Sequence, residues 1–225
     1  MGSIVSFTSN GGTADGYLAL PAAGKGKGVI VIQEWWGLVP HIKNVADRYA
    51  EAGFVALAPD LYHGQHTTEP GEAGKLMMAM NIDHAEKDLR GAINYLRAHT
   101  AVGGGKVGVV GFCMGGALSL FAACKNPDTV GACIIYYGGH PNVKPDLASL
   151  KAPVLGFYAE KDGFVTPAMA RDLQKQIQSL GKRMEMHVYP NCDHAFFNDD
   201  RPEVYSKQAA EDTWRRALAF FNENL

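Results

Sequence analysis

The sequence predicts an α/β fold: a mainly parallel central sheet with an antiparallel N-terminal strand and helices on both faces. Short runs rich in β-branched residues alternate with longer helical stretches along almost the whole chain, the pattern of parallel strands joined by helical crossovers. Near the start, Asn10-Gly11-Gly12 separates two runs that alternate apolar with polar residues, which signals a hairpin. In the middle, the run from Lys106 to Gly116 reads as a buried strand that turns sharply on Cys113 into a helix.

In chain order, Ser3–Phe7 and Tyr17–Leu20 form the hairpin. After a loop over Pro21–Lys27, strands follow at Gly28–Gln33, Phe54–Ala58, Lys106–Val110, Gly131–Tyr136, Val154–Tyr158 and Met184–Tyr189. The helical stretches between and after them cover Ile42–Ala52, Gly74–Met80, Asp83–His99, Met114–Lys125, Pro167–Leu180 and Glu203–Asn222. No repeat, low-complexity tract or long linker interrupts them, so residues 1–225 read as one domain.

Composition narrows the function. The chain has 21 basic and 23 acidic residues and no basic cluster, which disfavours nucleic acid or an anionic membrane surface as partner and leaves a small molecule. No apolar run is long enough to span a bilayer and the N-terminus lacks a signal-peptide pattern, so a cytoplasmic location is expected. Assembly stays open between monomer and homodimer. Cys113, Cys124, Cys133 and Cys192 have neither metal-ligand nor CxxC spacing, so free thiols are expected, with three of them packing in the core.

Gly111-Phe112-Cys113-Met114-Gly115 has the glycine-x-nucleophile-x-glycine pattern of a strained strand-to-helix elbow, with cysteine where serine is usual. Such a turn lifts the nucleophile clear of the sheet, and a helix N-terminus behind a thiol favours the thiolate. In a parallel sheet ligands bind at the carboxyl ends of the strands. Asp162 follows the Val154 strand, His194 follows the Met184 strand, and Glu34 closes the Gly28 strand just before Trp35-Trp36-Gly37. The order nucleophile, acid, histidine is that of α/β-hydrolase triads.

Several motifs add to the elbow: Gln33-Glu34-Trp35-Trp36-Gly37-Leu38, Ala58-Pro59-Asp60-Leu61-Tyr62, Tyr136-Tyr137-Gly138 and Asp193-His194-Ala195-Phe196. With these the chain resembles the dienelactone hydrolase family of α/β-hydrolases over nearly its whole length. The resemblance implies Cys113, His194 and Asp162 as the triad and the backbone amides of Trp35 and Met114 as the oxyanion hole. It also implies that Glu34 contacts and gates the resting thiol. No metal or cofactor is implied.

The chemistry that follows is ester or lactone hydrolysis through a thioester on Cys113. The tetrahedral intermediate expels its better leaving group, so the thiolate leaves ahead of an ordinary alkoxide and unactivated esters revert, whereas a phenolate or enolate competes with it. Aryl esters and enol lactones are therefore the expected substrates, and attack on a phosphotriester is a secondary activity. Family members that act on dienelactone hold its carboxylate with two arginines. Here those regions read His63-Gly64-Gln65 and Phe196-Phe197-Asn198, with Arg201 three residues further on. The expected pocket, formed by Trp36, Tyr137, Phe196 and Phe197 beside Trp35, is aromatic and uncharged, which favours a hydrophobic ester.

Each residue also has an ordinary structural reading. Cys113 could be a core thiol, Asp162-Gly163 a turn, Glu34 a solvated loop carboxylate, and Trp35-Trp36 core. His63 and His66 read as loop residues, Met77-Met78-Met80 as a helix face, and Tyr205, Trp214 and Phe221 as a docking stripe. The rival function is a non-hydrolytic thiol redox or sensor protein on the same scaffold, for which Cys192 is the nearest candidate resolving thiol.

Overall fold

The computed structural model describes all residues 1–225. The chain opens with a hairpin of β1 (Ser3–Ser9) and β2 (Gly12–Ala19). Asn10 and Gly11 between them both have positive φ, the two-residue turn that matches strand twist. The hairpin is longer than the sequence pattern predicts because Thr8 pairs with Thr13 and Ser9 with Gly12 right up to the turn.

β3 (Gly28–Ile32), β4 (Val55–Pro59), β5 (Val107–Phe112), β6 (Val130–Tyr136), β7 (Val154–Ala159) and β8 (Met184–Tyr189) complete one eight-stranded sheet in the order β1-β2-β4-β3-β5-β6-β7-β8. β2 runs antiparallel to both β1 and β4, and every other pairing is parallel. β3 to β7 are buried on both faces, as their unbroken apolar character requires.

The helices are α1 (Pro40–Glu51), α2 (Pro70–Ala79), α3 (Ile82–Ala98), α4 (Met114–Lys125), α5 (Pro167–Ser179) and α6 (Lys207–Asn224). Side chains of α1 and α6 join one apolar core, which includes Tyr49, Phe112, Phe197 and Phe221. Those of α3, α4 and α5 join a second core across the sheet, which includes Leu89, Leu118 and Ile177. α1 and α2 start earlier than the apolar spacing suggests because each begins with a proline, whose missing N–H costs nothing in the first turn. α6 starts four residues later than expected. The Val204 and Tyr205 N–H groups donate to the Arg201 carbonyl, and the Ser206 N–H donates to the Phe196 carbonyl at 2.9 Å, which ties this segment to the loop after β8. No helix is long and apolar enough to cross a membrane.

One close approach positions the site. A Cβ on Gly115 would collide with the carbonyls of Ile32 and Gln33, and one on Gly116 would lie 2.6 Å from the Gly138 Cα and 2.8 Å from the Tyr136 oxygen. Glycine at these positions lets the first turn of α4 sit directly against the ends of β3 and β6. Gly116→Ala should therefore cost roughly 1–3 kcal/mol through overpacking and lower the thermal midpoint by about 2–10 °C. Gly71→Ala, where an added Cβ meets nothing within 4 Å, should leave the midpoint unchanged in the same calorimetric scan.

Candidate active site

Cys113 caps α4 with φ 55° and ψ −120°. The strained conformation thus falls on the cysteine itself, while Gly111, Gly115 and Gly116 keep negative φ and serve the close approach. The turn is pinned from three sides. The Cys113 N–H donates to the Tyr136 carbonyl at 3.0 Å, and its own carbonyl accepts from the N–H groups of Gly116 at 2.9 Å and Gly139 at 3.2 Å. All four cysteines are free thiols, and only Cys113 is partly exposed. Burial pushes the Cys124 thiol up to about 11 and raises that of Cys133 further, so neither is a nucleophile near neutral pH.

The sheet order β3-β5-β6-β7-β8 places Glu34, Cys113, Tyr137, Asp162 and His194 after adjacent strands at one end of the sheet. The loop after β8 folds back over β7, held by the Glu160 N–H on the Tyr189 carbonyl and the Lys161 N–H on the Cys192 carbonyl. This return brings His194 Nδ1 to 2.6 Å from Asp162 Oδ2. Asp162 Oδ1 accepts from the N–H groups of Phe164 at 2.8 Å and Val165 at 2.9 Å, so the buried carboxylate is saturated and fixed in place.

Burial alone would lower the pKa of His194. Hydrogen bonds to Asp162 and to the Cys113 sulfur, with the negative charge of both, outweigh it and hold the imidazolium up to about 10. His194 therefore faces Cys113 as well as Asp162, and its ring is packed against Tyr137 at 5.0 Å and Phe164 at 5.7 Å between centroids.

Glu34 is buried, and its Oε2 accepts from Asn198 Nδ2 at 2.7 Å. The orientation of the amide is fixed because Asn198 Oδ1 accepts from the Asp200 N–H at 3.0 Å. Asn198 stands in the region where the sequence shows no arginine, and nothing in the residue pattern marks it as the partner of Glu34. The other oxygen, Oε1, has no partner, and neither does the neighbouring Tyr137 hydroxyl. Burial raises the pKa of Tyr137, and the charges of Glu34 and Cys113 raise it further, so this phenol stays neutral beside them. The Tyr62 hydroxyl, also raised by burial and by Cys113, donates to Met114 Sδ at 3.3 Å. The N–H of Met114, at the first position of α4, has no intrahelical acceptor, and the Trp35 N–H likewise has none.

The expected pocket residues divide. Trp36 is partly exposed, stacks edgewise on Trp35 at 5.0 Å, and carries the Arg201 guanidinium 5.7 Å above its ring. Tyr137, Phe196 and Phe197 are fully buried. For Phe197 the expectation of a pocket wall is corrected: its ring packs among Phe112, Tyr136 and Trp214 with Arg48 over it, inside the core shared with α1 and α6. Phe196 packs on Tyr137 at 5.4 Å and Tyr189 at 5.3 Å, and so supports the site from beneath.

Two features lie beside this constellation. A cavity of about 210 Å³ between α2, α3 and the loop after β4 is lined by Leu61, Tyr62, His63, Leu76, Met80 and Asp88 among others. Tyr62 separates its apolar wall from Met114. His41, Asp199 and Asp200 bring three potential metal-ligand atoms within 4.8 Å of one another. His41 Nδ1 is already paired with Asp199 Oδ1 at 3.0 Å, and the ring packs edge-on against Phe112 and Phe197, so a buried histidine donating to a carboxylate accounts for the cluster.

The model of the dienelactone hydrolase family matches residues 14–225. The chain is 40% identical to protein usf of Aquifex pyrophilus and 35% identical to a putative carboxymethylenebutenolidase of Aquifex aeolicus, in each case over the full length of both chains. It superposes with a TM-score of 0.89 on a dienelactone hydrolase-like promiscuous phosphotriesterase from metagenomic libraries, at 23% identity, covering 100% of this chain and 98% of the other. With the eight-stranded sheet and the strand-end residues already described, the chain belongs to the dienelactone hydrolase family, hydrolases that act on ester bonds.

Proposed function

We propose that this chain hydrolyses activated carboxylic esters and lactones through a thioester on Cys113, with His194 and Asp162 completing a triad. The observation that carries the reading is the Nδ1–Oδ2 bond of 2.6 Å between His194 and a saturated, buried Asp162, with the imidazole also turned toward Cys113. Asp162 fixes the tautomer, so that Nε2 is the nitrogen that exchanges a proton with sulfur and substrate.

Once substrate displaces Glu34, His194 takes the thiol proton and the sulfur attacks the ester carbonyl as a thiolate. The N–H groups of Met114 and Trp35 are free to meet the oxyanion. The acyl C–O bond then breaks, the proton on His194 Nε2 passes to the departing oxygen, and the acyl group stays on sulfur. Acylation removes the thiolate charge that helped hold His194 protonated, and burial then dominates and makes the imidazole a better base. His194 can therefore take a proton from the water that attacks the thioester, and collapse returns the thiolate and the acid product.

Glu34 gates this cycle. Its unpartnered Oε1 is available to the resting thiol, and a carboxylate there opposes thiolate formation until substrate displaces it. A phosphotriester offers a tetrahedral centre that the same thiolate and the same two donors could engage, which makes it the second substrate class to test.

Cys113→Ala should reduce hydrolysis of a chromogenic aryl ester at least about a thousandfold. Cys192→Ala should leave it unchanged, and a panel adding lactones and phosphotriesters should rank activated carboxylic esters first by kcat/KM. Full activity in Cys113→Ala would exclude the thiol mechanism.

Glu34→Gln should shift the pH dependence of Cys113 alkylation by iodoacetamide to lower pH in the free enzyme. An unchanged profile would remove the gating role.

The His194 pair also has a stability signature. A histidine raised from 6.5 to about 10 on folding stabilises the fold fully below its unfolded value and loses that contribution as pH rises through about 10. The thermal midpoint should therefore fall between about pH 7 and 10 in the native chain, and His194→Asn should flatten that slope.

A further inference from the structure

Phe164 is 80% exposed, the most exposed large apolar side chain apart from Met1. A phenyl ring left in water forgoes a burial contribution of about 1.5–3 kcal/mol, and no packing need of the fold explains its place. Its backbone, by contrast, is fixed. The Phe164 N–H is one of the two that saturate Asp162, and the next residue, Val165, is buried against Gly139. The ring lies edge-on to His194 at 5.7 Å. The other aromatic neighbour of that imidazole, Tyr137, is fully buried. A group that arrives from solvent at the imidazole therefore meets Phe164 and not Tyr137.

We infer that Phe164 is a specificity-determining residue for the departing side of the ester: an aromatic platform for a planar aryl or enol leaving group as His194 protonates it. The inference rests on the thiol-hydrolase reading and names the substrate feature that reading leaves open. The leaving oxygen receives its proton from His194 Nε2, so the group attached to that oxygen sits within reach of whatever flanks the imidazole. The flanking surface open to solvent is a phenyl face and edge. Such a surface prefers an offset or edge-on ring to an aliphatic chain, and it is pre-positioned by the same backbone amide that orients the acid of the triad. Substrate would then cover an apolar surface that is exposed in the free protein.

The test compares phenyl acetate with trifluoroethyl acetate, an activated alkyl ester without a ring. Phe164→Ala should lower kcat/KM for the phenyl ester by about 3- to 10-fold and leave the trifluoroethyl ester within about twofold. Phe164→Tyr should keep the native preference. Because the side chain makes no core contact, the thermal midpoint should be unaffected in both variants. An equal fall for both esters would mean that Phe164 only steadies His194, and no change for either would mean that it is idle; both results overturn the inference. A second readout does not depend on turnover. Phenol should protect Cys113 from iodoacetamide better than cyclohexanol does, and Phe164→Ala should erase the difference. Equal protection in the native chain overturns the inference. If the native chain hydrolysed neither ester while phenol still protected through Phe164, the reaction assignment would fail and the aromatic platform would stand.

Discussion

The reacting end of this molecule depends on how closely the first turn of α4 approaches the ends of β3 and β6. Gly115 and Gly116 remove the side chains that would hold the helix away, and backbone hydrogen bonds from Cys113 to Tyr136 and Gly139 close the gap. The helix cannot start there without forcing Cys113 to φ 55°, a conformation costing on the order of 1–3 kcal/mol for a residue with a side chain. That strain is what aims the sulfur away from the sheet. The same approach sets the N–H of Met114 beside the chain that leaves β3, where Glu34 and Trp35 lie. The positions of Cys113, the Met114 and Trp35 amides and Glu34, to which the proposed mechanism gives the roles of nucleophile, oxyanion donors and gate, therefore follow from a single packing contact. Tyr137 at φ 38° and Ala195 at φ 66° show that strain is shared by the two other loops that complete the site.

Charge is arranged around this geometry in an unequal way. Glu34 and Asp162 are both buried, but Asp162 is saturated by two backbone N–H groups and the imidazole, whereas Glu34 has one amide partner and one empty oxygen. The saturated carboxylate has no reason to move and serves as a fixed reference for His194. The half-satisfied one can exchange partners at low cost, which suits a gate. Asn198 is central to that contrast. A neutral amide holds Glu34 by one hydrogen bond, where a guanidinium would hold it by charge and two, so the proposed release of Glu34 would cost less here.

The fold class was legible in the sequence because it rests on short-range pattern, and the Asp162–His194 pairing because chain order and the family resemblance put both residues after neighbouring strands. Apolar runs mark buried strands, and the fold fixes which strand ends meet. Element starts were less legible: the apolar spacing of α1 and α2 begins only after the prolines that open them, and Glu203 to Ser206 read as helix although the Arg201 and Phe196 carbonyls capture the N–H groups of Val204, Tyr205 and Ser206. The pocket was least legible. An aromatic residue after a catalytic loop can face either layer, and only the path of the chain after β8 sends Phe197 into the α1–α6 core. Asn198 carries no pattern at all, since its role depends on a contact with a residue 164 positions away.

The charge arrangement also bears on which acyl groups can enter. On the proposed mechanism, a substrate carboxylate would come to rest beside the two buried carboxylates of Glu34 and Asp162 and a developing thiolate, opposed by one imidazolium. Unscreened by water, that sum is repulsive unless a cation is supplied. The nearest guanidinium at the rim, Arg201, is committed to Glu203 at 2.7 Å and to the face of Trp36. The other region where an arginine is expected has His63 bound to Asp88 at 3.0 Å and Gly64 at φ 92°, a backbone state that a long side chain would adopt only with strain. The turn there is further locked by Asp60, whose two oxygens accept from Tyr62 and Gly64. A carboxylate clamp at this position would therefore need a different loop as well as a different residue. With no clamp at this position, an uncharged ester is the substrate that the proposed mechanism accommodates at the lower electrostatic cost.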